Sequence, residues 1–194
     1  MSDTPLRVLL VDNEPGRAAI LEQALADAGH HTVKRIDCHT SLNDTVAQWQ
    51  PDMIIIDVDA PDRDVLEQMS QLSAHNPRPV VMYSDQDDSS FIEQAIRSGV
   101  SAYVANGMRP ERIKSTLAVA VARFREFQAL RQELDIARNE LADRKIIEKA
   151  KGLIMKHRQV DERQAYDALR KMAMDRSARL ADVARNVISV FEIL

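Results

Sequence analysis

Five short apolar runs, separated by helix-like stretches, constrain the fold of this chain more than any other feature. They are Arg7–Asp12 (RVLLVD), Thr32–Ile36 (TVKRI), Met53–Asp57 (MIIID), Pro79–Ser84 (PVVMYS) and Ser101–Ala105 (SAYVA). The strongest of them are near-continuous in Val, Leu, Ile and Met, as expected of strands covered on both faces. Helical patterns lie between them at about 17–28, 40–49, 63–74 and 89–98, the first and last stopped by Gly29 and Gly99. Alternating β and α of this kind predicts an α/β fold, a five-stranded doubly wound parallel sheet with its functional site at the carboxyl ends of the strands.

Beyond Pro110 the pattern changes. No strand signal follows, and Gly152 is the only further glycine or proline. Apolar residues recur at Leu117, Ala120, Phe124 and Phe127, then at Leu130, Leu134, Ala137 and Leu141, a heptad seam with one short step between Phe127 and Leu130. The reading is one long helix over 110–143, first packed on the sheet and then emerging as a coiled coil. A coiled coil needs a partner helix, which makes a homodimer the economical expectation; packing back on the same chain is the alternative. The remainder is expected to form a small all-α tail of three helices. The first runs through Ile146, Ile147, Ala150, Leu153 and Ile154 to about His157. The second opens on an Asp161-x-x-Gln164 capping box and buries Ala165, Leu169, Met172 and Ala173. The third is capped by Ser177 and buries Leu180, Ala184, Val187 and Phe191. The expected domains are therefore 1–122, 123–143 and 144–194.

Charge divides along the same line. Residues 1–122 hold 10 Lys and Arg against 18 Asp and Glu, whereas 144–185 hold 12 against 6. An acidic regulatory half and a half that can approach phosphate would account for this, as would a solvated helix surface. Cys38 is the only cysteine. It excludes an intrachain disulfide and a cysteine zinc site, and it suits a reducing cytosol. Nothing approaches the roughly 20 apolar residues of a membrane span, so a cytoplasmic protein without membrane contact is expected.

Asp12 and Asp57 each end an apolar strand, and the two strands should be neighbours. Their carboxylates would form an acidic pocket able to attract a divalent cation. Val11-Asp12-Asn13-Glu14-Pro15, Pro51-Asp52, Asp57-x-x-x-Pro61, Ser84 and Gly99-x-x-x-Tyr103 together resemble the receiver domain of bacterial response regulators over about residues 6–125. The resemblance implies Asp57 at the phosphoacceptor position, Ser84 as switch hydroxyl and Tyr103 as switch aromatic. It also implies a histidine kinase as a partner. Two departures weaken phosphotransfer. Asn13 stands where receivers carry a second acid that binds magnesium, and Asn106-Gly107 stand where they carry lysine and proline. An amide holds a divalent cation less well than a carboxylate, and the missing lysine would have paired with the aspartyl phosphate. A magnesium site built on Asp12 and Asp57 is thus expected to be weak, unless Glu14 or Asp59 compensates. No cofactor is required, and Asp57 is expected to persist chiefly as a structural acid.

The run Arg144-Lys145-Ile146-Ile147-Glu148-Lys149-Ala150-Lys151-Gly152-Leu153-Ile154-Met155, with 161–170 and 180–184, resembles the ANTAR domain of transcription antiterminators over about residues 130–191. A receiver followed by ANTAR is most similar to the NasT-type nitrate-assimilation antiterminators. That resemblance implies recognition of paired hairpins in a leader transcript, and a nitrate-sensing partner protein. The residues agree independently: Lys145, Lys149, Gly152 and Lys156 share one helical face, where three ammonium groups can follow a phosphate backbone. Gly152 costs about 1 kcal/mol against alanine in a helix interior, which close approach of RNA or of a packed helix would explain. Arg144, Lys151 and Arg170 are further candidate contacts, with Lys171, Arg176 and Arg179 beside them. Tyr166 is either a stacking platform for an unpaired base or a core residue; Met155 and Met172 read as core. The tail has no paired acid and base, nucleophile triad or glycine-rich phosphate loop, so a binder rather than an enzyme is expected. The alternatives are a phosphorylation-driven regulator with the same RNA output, and a DNA-binding regulator, for which no helix-turn-helix is evident.

Overall fold

A computed structural model describes residues 5–58 and 63–192. The expected Asp59 and Pro61 lie outside the described residues. The elements run β1 Arg7–Asp12, α1 Pro15–Asp27, β2 Thr32–Ile36, α2 Leu42–Trp49, β3 Met53–Asp57, α3 Arg63–His75, β4 Val80–Ser84, α4 Ser89–Arg97 and β5 Ala102–Ala105. A 3-10 turn at Pro110–Arg112 leads into α5 Ile113–Arg158, followed by α6 Glu162–Asp175 and α7 Leu180–Glu192. The chain divides into two compact units, residues 1–128 and 129–194.

The first unit is the expected five-stranded parallel sheet, in the order β2-β1-β3-β4-β5. Strands β1, β3 and β4 are buried along almost their whole length, which is why their sequences lack polar alternation. One sheet face packs Val8, Leu10, Ile55 and Val81 against Leu21 and Leu25 of α1 and Ile113, Leu117 and Ala120 of α5. The other packs Leu9, Ile54, Ile56 and Met82 against Val46, Met69, Leu72 and Ala95 from α2, α3 and α4. Local signals set the ends: Ser41 caps α2, and Asp88 caps α4 by accepting from the amides of Ser90 and Phe91. Gly99, at φ 105°, follows α4 where an added Cβ would lie 2.6 Å from that of Ser73, so both conformation and space require glycine there.

In the second unit α5, α6 and α7 enclose Ala150, Ile154, Ala165, Leu169, Ala173, Val183, Ala184 and Ile188. Two sequence expectations are corrected. The break after residue 143 does not occur, because residues 140–150 contain no proline or glycine and α5 runs on to Arg158. Nor is Ser177 the cap of α7. It sits at φ 48° and closes α6, its amide donating to Met174 and that of Ala178 to Ala173, a left-handed stop usually made by glycine. Helix α7 starts instead from Arg179, whose carbonyl accepts from Asp182 and Val183. Its buried face is Ala181, Val183, Ala184 and Ile188, with Leu180, Val187 and Phe191 only partly covered.

Candidate receiver pocket and nucleic-acid interface

Asp12 and Asp57 face each other directly in the β1–β3 register, with only 1% and 5% of their surfaces exposed. Asp12 Oδ1 accepts the Glu14 amide at 2.7 Å, while its Oδ2 is buried without a hydrogen-bond partner among the described residues.

The side-chain donors around these two carboxylates are few. Asn13 turns its amide to the loop after β2: Nδ2 donates to Cys38 Sγ at 2.8 Å and Oδ1 accepts the Cys38 amide at 2.9 Å. Glu14 faces Arg17 at 3.7 Å. Among the described residues no three His, Cys, Asp or Glu side chains gather as a metal site. The neutral, already engaged Asn13 leaves Asp12 and Asp57 as the carboxylates that could hold a magnesium ion, with water completing its shell of six oxygens. Beside them opens a cavity of about 590 Å³ lined by Asp12, Asn13, Arg35, Ile36, Asp37, His39 and Thr40.

Ser84, at the end of β4, is buried, and its Oγ accepts the Gln86 amide at 3.1 Å. Tyr103 on β5 donates its hydroxyl to the Gln86 carbonyl at 2.8 Å and meets Phe91 edge-on at 6.2 Å. Asn106 is exposed at φ 61°, a left-handed conformation that asparagine tolerates. Gln86 and Cys38 carried no sequence signal, since both act through backbone groups or a loop contact.

In the tail, Arg144, Lys145, Lys149, Gly152 and Lys156 are all exposed on α5. Among the described residues, a Cβ added to Gly152 would meet nothing within 4 Å, so their packing does not demand the glycine. Arg170 is exposed on α6, as is Tyr166 at 41%; its reading as core is corrected. Met155 and Met172 are partly buried against the tail core. Lys151, a candidate contact, is corrected more sharply. It is 7% exposed, and its ammonium lies 2.6 Å from Glu162 and 2.9 Å from Glu148. The hydrogen bond to Glu162, then that to Glu148, holds its pKa above the ordinary lysine value. One residue along a helix turns about 100°, which carries Lys151 off the lysine stripe toward its buried neighbour Ala150. Arg179 is likewise engaged, with Arg185, on Asp143 at 2.8 and 2.6 Å.

Residues 8–118 match the response regulator receiver domain family, and residues 136–188 match the ANTAR domain family. The transcriptional regulatory protein PdtaR of Mycobacterium tuberculosis is 28% identical over 184 residues, covering 95% of this chain and 90% of that protein. The nitrate regulatory protein of Klebsiella oxytoca is 39% identical over 77 residues, 40% of this chain and 19% of that one. The signal receiver domain of a modulated diguanylate cyclase from Desulfovibrio desulfuricans shares the fold, with a TM-score of 0.53 over 63% of this chain and 98% of that one at 18% identity. With the receiver match covering more than half of its length, this chain belongs to the response regulator receiver family and carries a C-terminal ANTAR domain.

Proposed function

We propose that the protein is a transcription antitermination regulator that binds hairpin leader RNA through its ANTAR tail. The carrying observation is the exposed stripe Lys145, Lys149 and Lys156 around the open Gly152. Arg144, Arg170 and Tyr166 extend it, and the base-edge selectivity would come from unpaired loop bases. In this reading residues 1–122 form the receiver, 123–143 the dimerising coil and 144–194 the RNA-binding tail. The protein works in the cytoplasm as a homodimer and as a binder.

The receiver is governed by a partner protein or ligand. Support comes from the engaged Asn13 and the exposed Asn106, which give the site one acidic donor fewer and no lysine at the position that phosphotransfer uses. The resemblance to the nitrate regulatory protein supports nitrate or nitrite assimilation as the setting, with a nitrate-sensing protein holding the regulator inactive. A second reading, control by a histidine kinase, is favoured by the burial of Asp57 beside Asp12 with Ser84 at the end of the next strand.

The test compares a two-hairpin leader RNA with duplex DNA at two salt concentrations, using wild type and a Lys145→Ala/Lys149→Ala/Lys156→Ala variant. Preference for the RNA, lost in the variant, supports the proposal; tighter binding to DNA overturns it. Beryllofluoride with magnesium separates the two modes of control, since a change in RNA affinity that Asp57→Asn abolishes would favour the kinase.

A further inference from the structure

The cavity beside Asp12 holds two ionic groups that nothing around them answers. Asp12 is 1% exposed, its Oδ1 taken by the Glu14 amide and its Oδ2 without a partner among the described residues. Arg35, in the same wall, is exposed and makes no hydrogen bond or ion pair among the described residues. Neither Asp57 nor Ser84 is among the described residues that line this space. It opens on the β2 side of β1, whereas β3 and β4 lie on the other.

The strand register sets the spacing of the two groups. Arg35 pairs with Leu10, two residues before Asp12 on β1, and register partners and every second residue of a strand share one face of the sheet. Two residues along a strand cover about 6.6 Å and neighbouring strands lie about 4.8 Å apart, which puts the two Cα atoms roughly 8 Å from each other. The wall next to them is already held. Asp37 Oδ1 accepts from the amides of His39 and Thr40 and from the Thr40 hydroxyl, at 3.0, 2.8 and 2.9 Å. Asn13 grips Cys38 through both atoms of its amide. A molecule entering here meets groups that need little reordering, which favours binding.

The charges select what fits. The hydrogen bond from the Thr40 hydroxyl holds the Asp37 carboxyl below its ordinary pKa, so Asp12 and Asp37 stand against Arg35 and His39 in one cavity. A simple anion is opposed by the two carboxylates, and a simple cation by the guanidinium. An ammonium and a carboxylate carried a few ångströms apart on one molecule answer both unpartnered groups at once. We propose that this cavity binds a small zwitterion of the α-amino acid type, its ammonium donating to Asp12 Oδ2 and its carboxylate held by Arg35. The volume of about 590 Å³ leaves room for a side chain beside the charged groups. The site supplies the ligand class for the ligand-governed receiver described above, and rests on that reading for its consequence but not for binding itself.

Isothermal titration of the full chain in magnesium-free buffer tests it, using each of the common α-amino acids, with succinate and propylamine as single-charge probes. At least one amino acid should bind with a Kd of roughly 0.01–1 mM, and neither single-charge probe should match it. Arg35→Gln and Asp12→Asn should each weaken that binding about ten- to hundredfold. Arg35 is exposed on the edge strand, so its variant keeps the test open should Asp12→Asn fail to fold. No binding by any amino acid at about 10 mM, or binding indifferent to Arg35→Gln, would overturn the site. Equal weakening by Asp57→Asn would place the ligand in the acidic pair and overturn the cavity as its seat. An amino acid that binds as described yet leaves RNA affinity unchanged would instead overturn ligand control of the receiver, a separate result.

Discussion

Ser84 and Tyr103 are linked through Gln86: the serine Oγ accepts its amide at 3.1 Å and the tyrosine hydroxyl donates to its carbonyl at 2.8 Å. The hydroxyl and the aromatic ring, on separate strands, thus clamp one loop residue from its two backbone groups. Tyr103→Phe removes one clamp and should lower receiver stability by about 0.5–1.5 kcal/mol. A double-mutant cycle with Ser84→Ala, read by urea denaturation, should show coupling above about 0.5 kcal/mol. Strict additivity would mean that the two grips act independently.

Lys151→Met should lower the thermal midpoint of the tail while leaving the salt dependence of RNA binding intact, because its ammonium is held by Glu162 and Glu148. The pH dependence has a definite sign. Its folded pKa is raised above the ordinary 10.5, so the stabilisation is fully present below that value and is lost as pH rises through the folded pKa. Wild type should therefore lose tail stability on alkaline titration by circular dichroism more than Lys151→Met does. Equal losses would count against the ion pairs.

Replacing Lys145, Lys149 and Lys156 with alanine should flatten the plot of log affinity against log salt. Each lysine that touches a phosphate contributes about 0.7–0.9 to that slope, so full engagement of all three predicts a change of roughly 2–3. A slope unchanged by the triple substitution would place the phosphate contacts elsewhere on the tail.

The sheet and its two carboxylates were legible because buried parallel strands leave continuous apolar runs, and the β1–β3 pairing then sets Asp12 opposite Asp57. The lysine stripe was legible from spacing alone. Lys151 was not, since one helical step separates a solvent-facing lysine from one drawn in by Glu148 and Glu162, and Glu162 comes from another helix. Ser177 misled because serine is a good N-cap by type, yet at φ 48° it ends the preceding helix where glycine would be the usual marker. Asn13 could be recognised as a substitution, but its commitment to Cys38 depends on the path of the loop after β2.

Gly152 sits in mid-helix with open space where a Cβ would be. Gly152→Ala should therefore raise the stability of the isolated protein by about 1 kcal/mol, while reducing its affinity for the leader RNA if the backbone there approaches a phosphate. On the proposed function, a laboratory selection for heat resistance alone would then erase the glycine, and a selection for read-through in the cell would put it back.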